Sequence, residues 1–323
     1  MKRNCLNNHH ITVFKKYMHR KTKEEVFMKK KFLSAVLVSA MTVSMIAGCS
    51  SGNAGEKKES AAVESTVAAE GGTTAGEVTS VAENTGKEEY QFVPAGDAVK
   101  AAADGKTHVL DVREWSNYGA GRVANSEWCP IFPLEDESLA DQMKAYAEEN
   151  LKDGEKIYII CNSGQRGAQK STKVLEEAGI DAGLIYTVEG GAKALAKEKG
   201  ALTTNRAEES IDWQYAKAAD VIAKKDAQIV DVRDDDTYAG GHLENSLQVN
   251  LKDFESADAQ TAMYELAAEK LNKEEPVYFL CYSGNKCAKT AISVLKDAGF
   301  DEKNLFIIEN GAKDGDVQAA FVK

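Results

Sequence analysis

Two stretches of this 323-residue chain end an apolar run in a cysteine and follow it with a short glycine-containing segment. The first reads Ile157-Tyr158-Ile159-Ile160-Cys161-Asn162-Ser163-Gly164-Gln165-Arg166. The second reads Val277-Tyr278-Phe279-Leu280-Cys281-Tyr282-Ser283-Gly284-Asn285-Lys286-Cys287. Cysteine is nucleophilic as its thiolate. A loop that opens a helix offers unpaired N–H groups and the positive end of the helix dipole, which suit an anionic sulfur or a bound anion. Arg166 or Lys286 adds a positive charge at the end of each loop. The chemistry expected is nucleophilic catalysis by Cys161 and Cys281 inside loops 162–166 and 282–286.

The elements that must position these loops are written twice, at a constant offset of 120 residues. Asp111-Val112-Arg113 returns as Asp231-Val232-Arg233, Tyr118 as Tyr238, Gly121 as Gly241, and Asn125-Ser126 as Asn245-Ser246. Cys161, Ser163 and Gly164 return as Cys281, Ser283 and Gly284, and Gly191-Ala192 returns as Gly311-Ala312. Apolar runs at 108–112, 157–160 and 184–188 predict buried strands, as do 229–232, 277–280 and 305–308. After Cys281, the spacing of Ala288, Ala291, Ile292, Leu295 and Ala298 marks one apolar helix face. Gly299 ends that helix, as Gly179 does in the first copy. Strands alternating with helices predict an α/β fold in each copy, a mostly parallel sheet with helices on both faces.

Asp-Val-Arg, then Tyr-x-x-Gly, then strand–Cys-x-x-Gly-x-Arg–helix, then a late Gly-Gly resembles the rhodanese superfamily. The resemblance covers residues 90–200 and 205–323 and implies two tandem domains. It further implies that Cys161 and Cys281 take sulfane sulfur from a small sulfur-containing anion such as thiosulfate, or from polysulfide. Each would hold the sulfur as a persulfide and yield it to a thiol or cyanide, with no cofactor. The N–H groups of Asn162, Ser163, Gly164, Gln165 and Arg166, and of Tyr282, Ser283, Gly284, Asn285 and Lys286, would cradle the persulfide. Related phosphatases and arsenate reductases use Cys-x5-Arg, whereas Cys161 and Arg166 are separated by four residues, a tighter ring that suits sulfur better than phosphate.

Several residues depart from the family pattern. Arg122 replaces the His of the second copy's Gly241-His242, Lys286 replaces Arg, Gly190 becomes Asn310, and no Trp follows either late Gly. Lys cannot offer the bidentate contacts of Arg. Asp111, Arg113, Asp231, Arg233 and His242 read as structural in the family. His108 reads as a satisfied histidine within a strand. Cys129, opposite Val249, reads as a small buried hydrophobe. Cys287 stays open among a sulfur acceptor, a disulfide partner for Cys281 and an inert helix residue.

The N-terminus reads as an address. Lys29-Lys30-Lys31 precedes an apolar stretch that closes on Ile46-Ala47-Gly48-Cys49, which resembles the lipobox of bacterial lipoproteins. Residues 1–48 are expected to be a leader and signal peptide, with Met28 as an alternative start and Cys49 as the lipidated residue. An uncleaved anchor is the competing reading, although about 17 apolar residues is short for a bilayer span. Residues 50–89 are rich in Gly, Ala, Ser, Thr and Glu and read as a flexible tether with a reach of about 35 Å. The formal charge is −11, of which residues 1–48 contribute +8 and the remainder −19. An acidic body argues against nucleic-acid binding and leaves the lipid as the sole expected membrane contact. The six cysteines show no metal-ligand spacing, so no metal is expected. The leading function is thus an extracytoplasmic sulfurtransferase. A non-enzymatic module that binds sulfur or a partner, and a thiol redox protein using Cys281 and Cys287, are the alternatives.

Overall fold

The computed structural model describes residues 90–323. The leader, Cys49 and the tether lie outside the described residues. Among the described residues, no helix is long and apolar enough to cross a membrane.

The first half runs β1 (Gln91–Val93), α1 (Ala95–Asp104), β2 (Thr107–Asp111), α2 (Trp115–Gly119), β3 (Glu127–Trp128) and α3 (Glu137–Asn150). It closes with β4 (Lys156–Ile160), α4 (Arg166–Glu177), β5 (Ile185–Val188) and α5 (Gly191–Leu195). The second half repeats this as β6 (Gln214–Ala216), α6 (Ala218–Ile222), β7 (Gln228–Asp231), α7 (Asp235–Gly240), β8 (His242–Leu243), β9 (Leu247–Gln248) and α8 (Ala257–Lys270). It ends with β10 (Val277–Leu280), α9 (Lys286–Asp297), β11 (Leu305–Ile308), α10 (Gly315–Ala319) and β12 (Phe321–Val322).

Each half holds a five-stranded sheet, ordered β1-β5-β4-β2-β3 and β6-β11-β10-β7-β9. Every neighbouring pair in both sheets is parallel. Parallel strands need crossovers, and the intervening helices provide them. Alternation along the strands sends side chains to two cores. Leu110, Val112, Ile157, Ile159 and Cys161 join the core that contains Leu139, Met143, Val174 and Leu175 of α3 and α4. Val109, Ile160 and Val188 face Ala98 and Ala102 of α1 and Leu195 of α5. The second half is divided the same way, with Val277, Phe279 and Cys281 on the α8 and α9 side. Tyr278, Leu280 and Ile308 pack with Val221 and Val317 on the other side. Strands buried on both faces explain the continuous apolar runs of the central segments.

The two halves also share a core. Trp115 and Tyr118 of α2 are buried with Met263 and Tyr264 of α8. The Trp115 ring lies 4.3 Å from that of Tyr264, and its Nε1 donates to Thr261 Oγ1 at 3.0 Å.

Candidate active site

β4 and β10 lie at the centre of their sheets, and each delivers its cysteine at its carboxyl end, where parallel α/β sheets bind ligands. The two loops have one conformation. Gly164 and Gly284 both have φ of 65°. The next residues share one conformation that is neither helical nor extended, Gln165 at φ −129°, ψ −123° and Asn285 at φ −137°, ψ −128°. α4 and α9 then begin at Arg166 and Lys286. In the second loop the Asn285 N–H donates to Cys281 Sγ at 3.2 Å. The amide thus reaches the sulfur itself, as an anion cradle at a helix start requires.

The loops are held from behind by the turn after β5 or β11. Cys161 O accepts from Ala192 N at 2.9 Å, and Cys281 O accepts from Ala312 N at 2.8 Å. Gly191 and Gly311 both have φ of 55°, and a Cβ at either would stand 2.2 Å from the cysteine carbonyl oxygen and 2.7 Å from the N of Gly164 or Gly284. Only glycine fits there. The preceding position, Gly190 or Asn310, is also left-handed, at φ 68° or 60°. Asn tolerates that region better than other side chains, so the Gly190-to-Asn310 departure preserves the turn.

Cys161 and Cys281 are buried at the floor of the loops. Asn162, Ser163, Gly164, Tyr282 and Gly284 are half-buried, and Gln165, Arg166, Ser283, Asn285 and Lys286 are exposed. Each set of residues is contiguous with its own cysteine in the loop, and in the second set the Asn285 N–H reaches the sulfur. The two sets differ at their rims. Lys286 Nζ lies 5.1 Å over the Phe254 ring. Tyr282 donates its hydroxyl proton to the Asp234 carboxylate and accepts from Asp234 N at 2.9 Å. That hydrogen bond, followed by those from Thr237, holds the Asp234 carboxyl well below the usual carboxylate range. Burial, and then Asp234, push Tyr282 up to about 12. Sequence reasoning missed this clasp; the signal available was an acidic residue after Asp-Val-Arg in both copies, Glu114 and Asp234.

Residues read as structural have structural partners. Arg113 Nε and Nη2 donate to the Asp111 carboxylate at 2.9 and 2.7 Å, and Nη2 also reaches Gly121 O at 2.7 Å. Arg233 repeats this with Asp231 and Gly241 O. His242 lies 3.2 Å from Tyr238 O through Nδ1 and stacks on the Tyr238 ring at 4.1 Å. Arg122, its counterpart, instead donates to the Glu209 carboxylate and to Thr203 O, so the departure serves contacts outside the first repeat. Cys129 is buried like Val249, and burial pushes its thiol up to about 12.

The profile of the Rhodanese-like domain matches residues 95–198 and again 215–315. The thiosulfate sulfurtransferase GlpE of Coxiella burnetii (strain RSA 493) is 32% identical over 88 residues, 27% of this chain and 72% of that protein. Among solved structures, a thiosulfate sulfurtransferase from Pseudomonas aeruginosa is 15% identical, with a TM-score of 0.32 over 68% of this chain and 41% of that one. SseA from Escherichia coli, a 3-mercaptopyruvate sulfotransferase, is 15% identical, with a TM-score of 0.28 over 69% of this chain and 98% of that one.

Proposed function

This chain belongs to the rhodanese-like domain family, and from that premise we propose that it is an extracytoplasmic, lipid-anchored sulfurtransferase working through cysteine persulfides. The observation that carries the reading is the backbone N–H on Cys281 Sγ, within a loop whose conformation is repeated at Cys161. In the first half-reaction the cysteine sulfur attacks the outer sulfur of thiosulfate. The S–S bond breaks, sulfite leaves with the electron pair, and the sulfane sulfur stays on the cysteine. In the second, a thiol or cyanide attacks that outer sulfur and returns the cysteine thiolate. The loop N–H groups and the helix start favour the anionic persulfide between the two steps.

The lipobox-like Ile46-Ala47-Gly48-Cys49 and the polar composition of residues 50–89 support a place at the outer face of the membrane, with sulfur supplied as a small anion and removed by a thiol. The test is sulfite released per chain when the full protein meets excess thiosulfate without air. Two equivalents are expected from the wild type, one each from Cys161→Ser and Cys281→Ser, and none from the double variant. Release that ignores both substitutions would overturn the reading. Stoichiometric loading without turnover to any acceptor would reduce the protein to a sulfur-binding module.

A further inference from the structure

The two cysteine loops share a backbone, yet the residue that follows each loop differs in a way that bears on chemistry. Position 167 of the first copy is Gly, and position 287 of the second is Cys. A Cβ added at Gly167 would stand 3.1 Å from Cys161 Cβ. The matching loop conformations root the Cys287 side chain at the same flank of Cys281. Disulfides bridge Cβ atoms about 3.5–4.5 Å apart, so a slight relaxation of this geometry lies within bonding reach.

A second, coupled difference opens the space. In the first copy the Phe132 ring occupies it, and an added Cβ at Gly167 would lie 2.5 Å from Phe132 Cζ. The residue 120 positions later is Lys252, which is exposed and lies 3.4 Å from the Asp234 carboxylate. The aromatic plug is thus replaced by a chain that turns to the rim, and a thiol takes the vacated flank. Cys281 and Cys287 are both free, both buried and members of one core cluster. Burial, and then the neighbouring Cys281, push the Cys287 thiol up to about 11, so it rests as a protonated reserve beside the sulfur that receives the Asn285 N–H.

We propose that the second site is a dithiol site in which Cys287 resolves the Cys281 persulfide and releases hydrosulfide. This rests on the sulfurtransferase reading for the loading step and names what happens next. The anionic outer sulfur takes the Cys287 proton, and the Cys287 sulfur attacks Cys281 Sγ. The bond between Sγ and the sulfane sulfur breaks, and hydrosulfide leaves with its electron pair. Two electrons given up by the two cysteine sulfurs reduce the sulfane sulfur, and a Cys281–Cys287 disulfide remains. A dithiol reductant from outside the chain then restores both thiols. The first site has Gly167 at the matching position, with the Phe132 ring against it, and passes its sulfur to an external acceptor.

The test uses the full chain carrying Cys161→Ser, with thiosulfate as donor, no air and no added thiol. The expected result is one sulfite and one sulfide per chain, a mass two hydrogens below the starting protein, and tryptic peptides linked across the cleavage after Lys286. Adding Cys287→Ser, or Cys287→Ala as a second variant, should trap one extra sulfur on the protein and abolish sulfide release. Sulfite release with a retained sulfur and an alkylatable Cys287 in the Cys161→Ser chain would overturn the inference and leave the transferase reading standing. No sulfite from the Cys161→Ser chain would overturn both at this site.

Discussion

At the scale of single residues, a cluster of polar side chains gathers around His108. His108 lies 2.7 Å through Nδ1 from Glu127 Oε1 and 3.1 Å through Nε2 from Asp153 Oδ2, and Tyr146 donates to the same Glu127 carboxylate. The satisfied histidine expected from the sequence is what the structure holds. The Glu127 hydrogen bond, opposed by partial burial, pushes its pKa from 6.5 up to about 9. Because the folded value is raised, the stabilisation is fully present below pH 6.5 and is lost as pH climbs through about 9. The wild type should therefore lose stability relative to His108→Gln across that window. Urea midpoints measured at several pH values check this; parallel curves for the two proteins would refute it.

At the scale of elements, the central strands were legible to within a residue. The runs at 277–280 and 305–308 coincide with β10 and β11, β2 and β7 are shifted by one position, and β4 begins one residue earlier than its run. Four consecutive apolar residues buried on both faces leave little else for a chain to do. The edge strands were not legible. β1 and β6 each pair with one neighbour, and each exposes an aromatic, Phe92 and Tyr215. Half-exposed segments of three residues carry no readable period. Helix ends were clearer. Gly179 and Gly299 follow α4 and α9 with φ of 89° and 81°, and Ile180 and Phe300 N–H groups reach back to Leu175 and Leu295 O at 3.0 Å. The contact between the start of α4 and the segment before α3 yields a test. Gly167→Ala should cost about 1–3 kcal/mol through overpacking against Phe132. In a Phe132→Ala background that cost should shrink markedly, read as the coupling term of a double-mutant cycle in urea. Strict additivity would disprove the steric account.

At the scale of the whole molecule, duplication has become association. Arg206, from the segment joining the halves, donates through Nε to Gln260 Oε1 at 2.8 Å, and through Nη1 to Ser293 Oγ at 3.0 Å and Asp297 Oδ2 at 2.6 Å. Its guanidinium lies 5.3 Å over the Trp115 ring of the first half. Glu209 sits between Arg122 of one half and Ser293 of the other. Ser210 N donates to Asn125 Oδ1 at 2.8 Å. Burial raises Asp297 against the pull of Arg206, so the pair depends on both members being present. Arg206→Ala should cost about 3–5 kcal/mol, because it strands a buried carboxyl. Chemical denaturation measures the loss, and faster cleavage between residues 200 and 213 in limited proteolysis would show that the halves have loosened. Stability equal to the wild type would mean that apolar packing alone holds them.

The sequence by itself determined the duplication, the central strands, the two cysteine loops and the glycines that close them. These follow from patterns within a few residues, where backbone sterics and apolar period act directly. The candidate loops could be named for the same reason, since Cys161 to Arg166 and Cys281 to Lys286 are contiguous in the chain. Only the tertiary structure decided what Arg122 is for, because its partner Glu209 is 87 residues away. It alone set Phe132 against Gly167, left Cys287 room beside Cys281, and tied Tyr282 to Asp234 across 48 residues. Contacts at such separations depend on how finished elements pack, and no local spacing in the chain encodes which faces will meet.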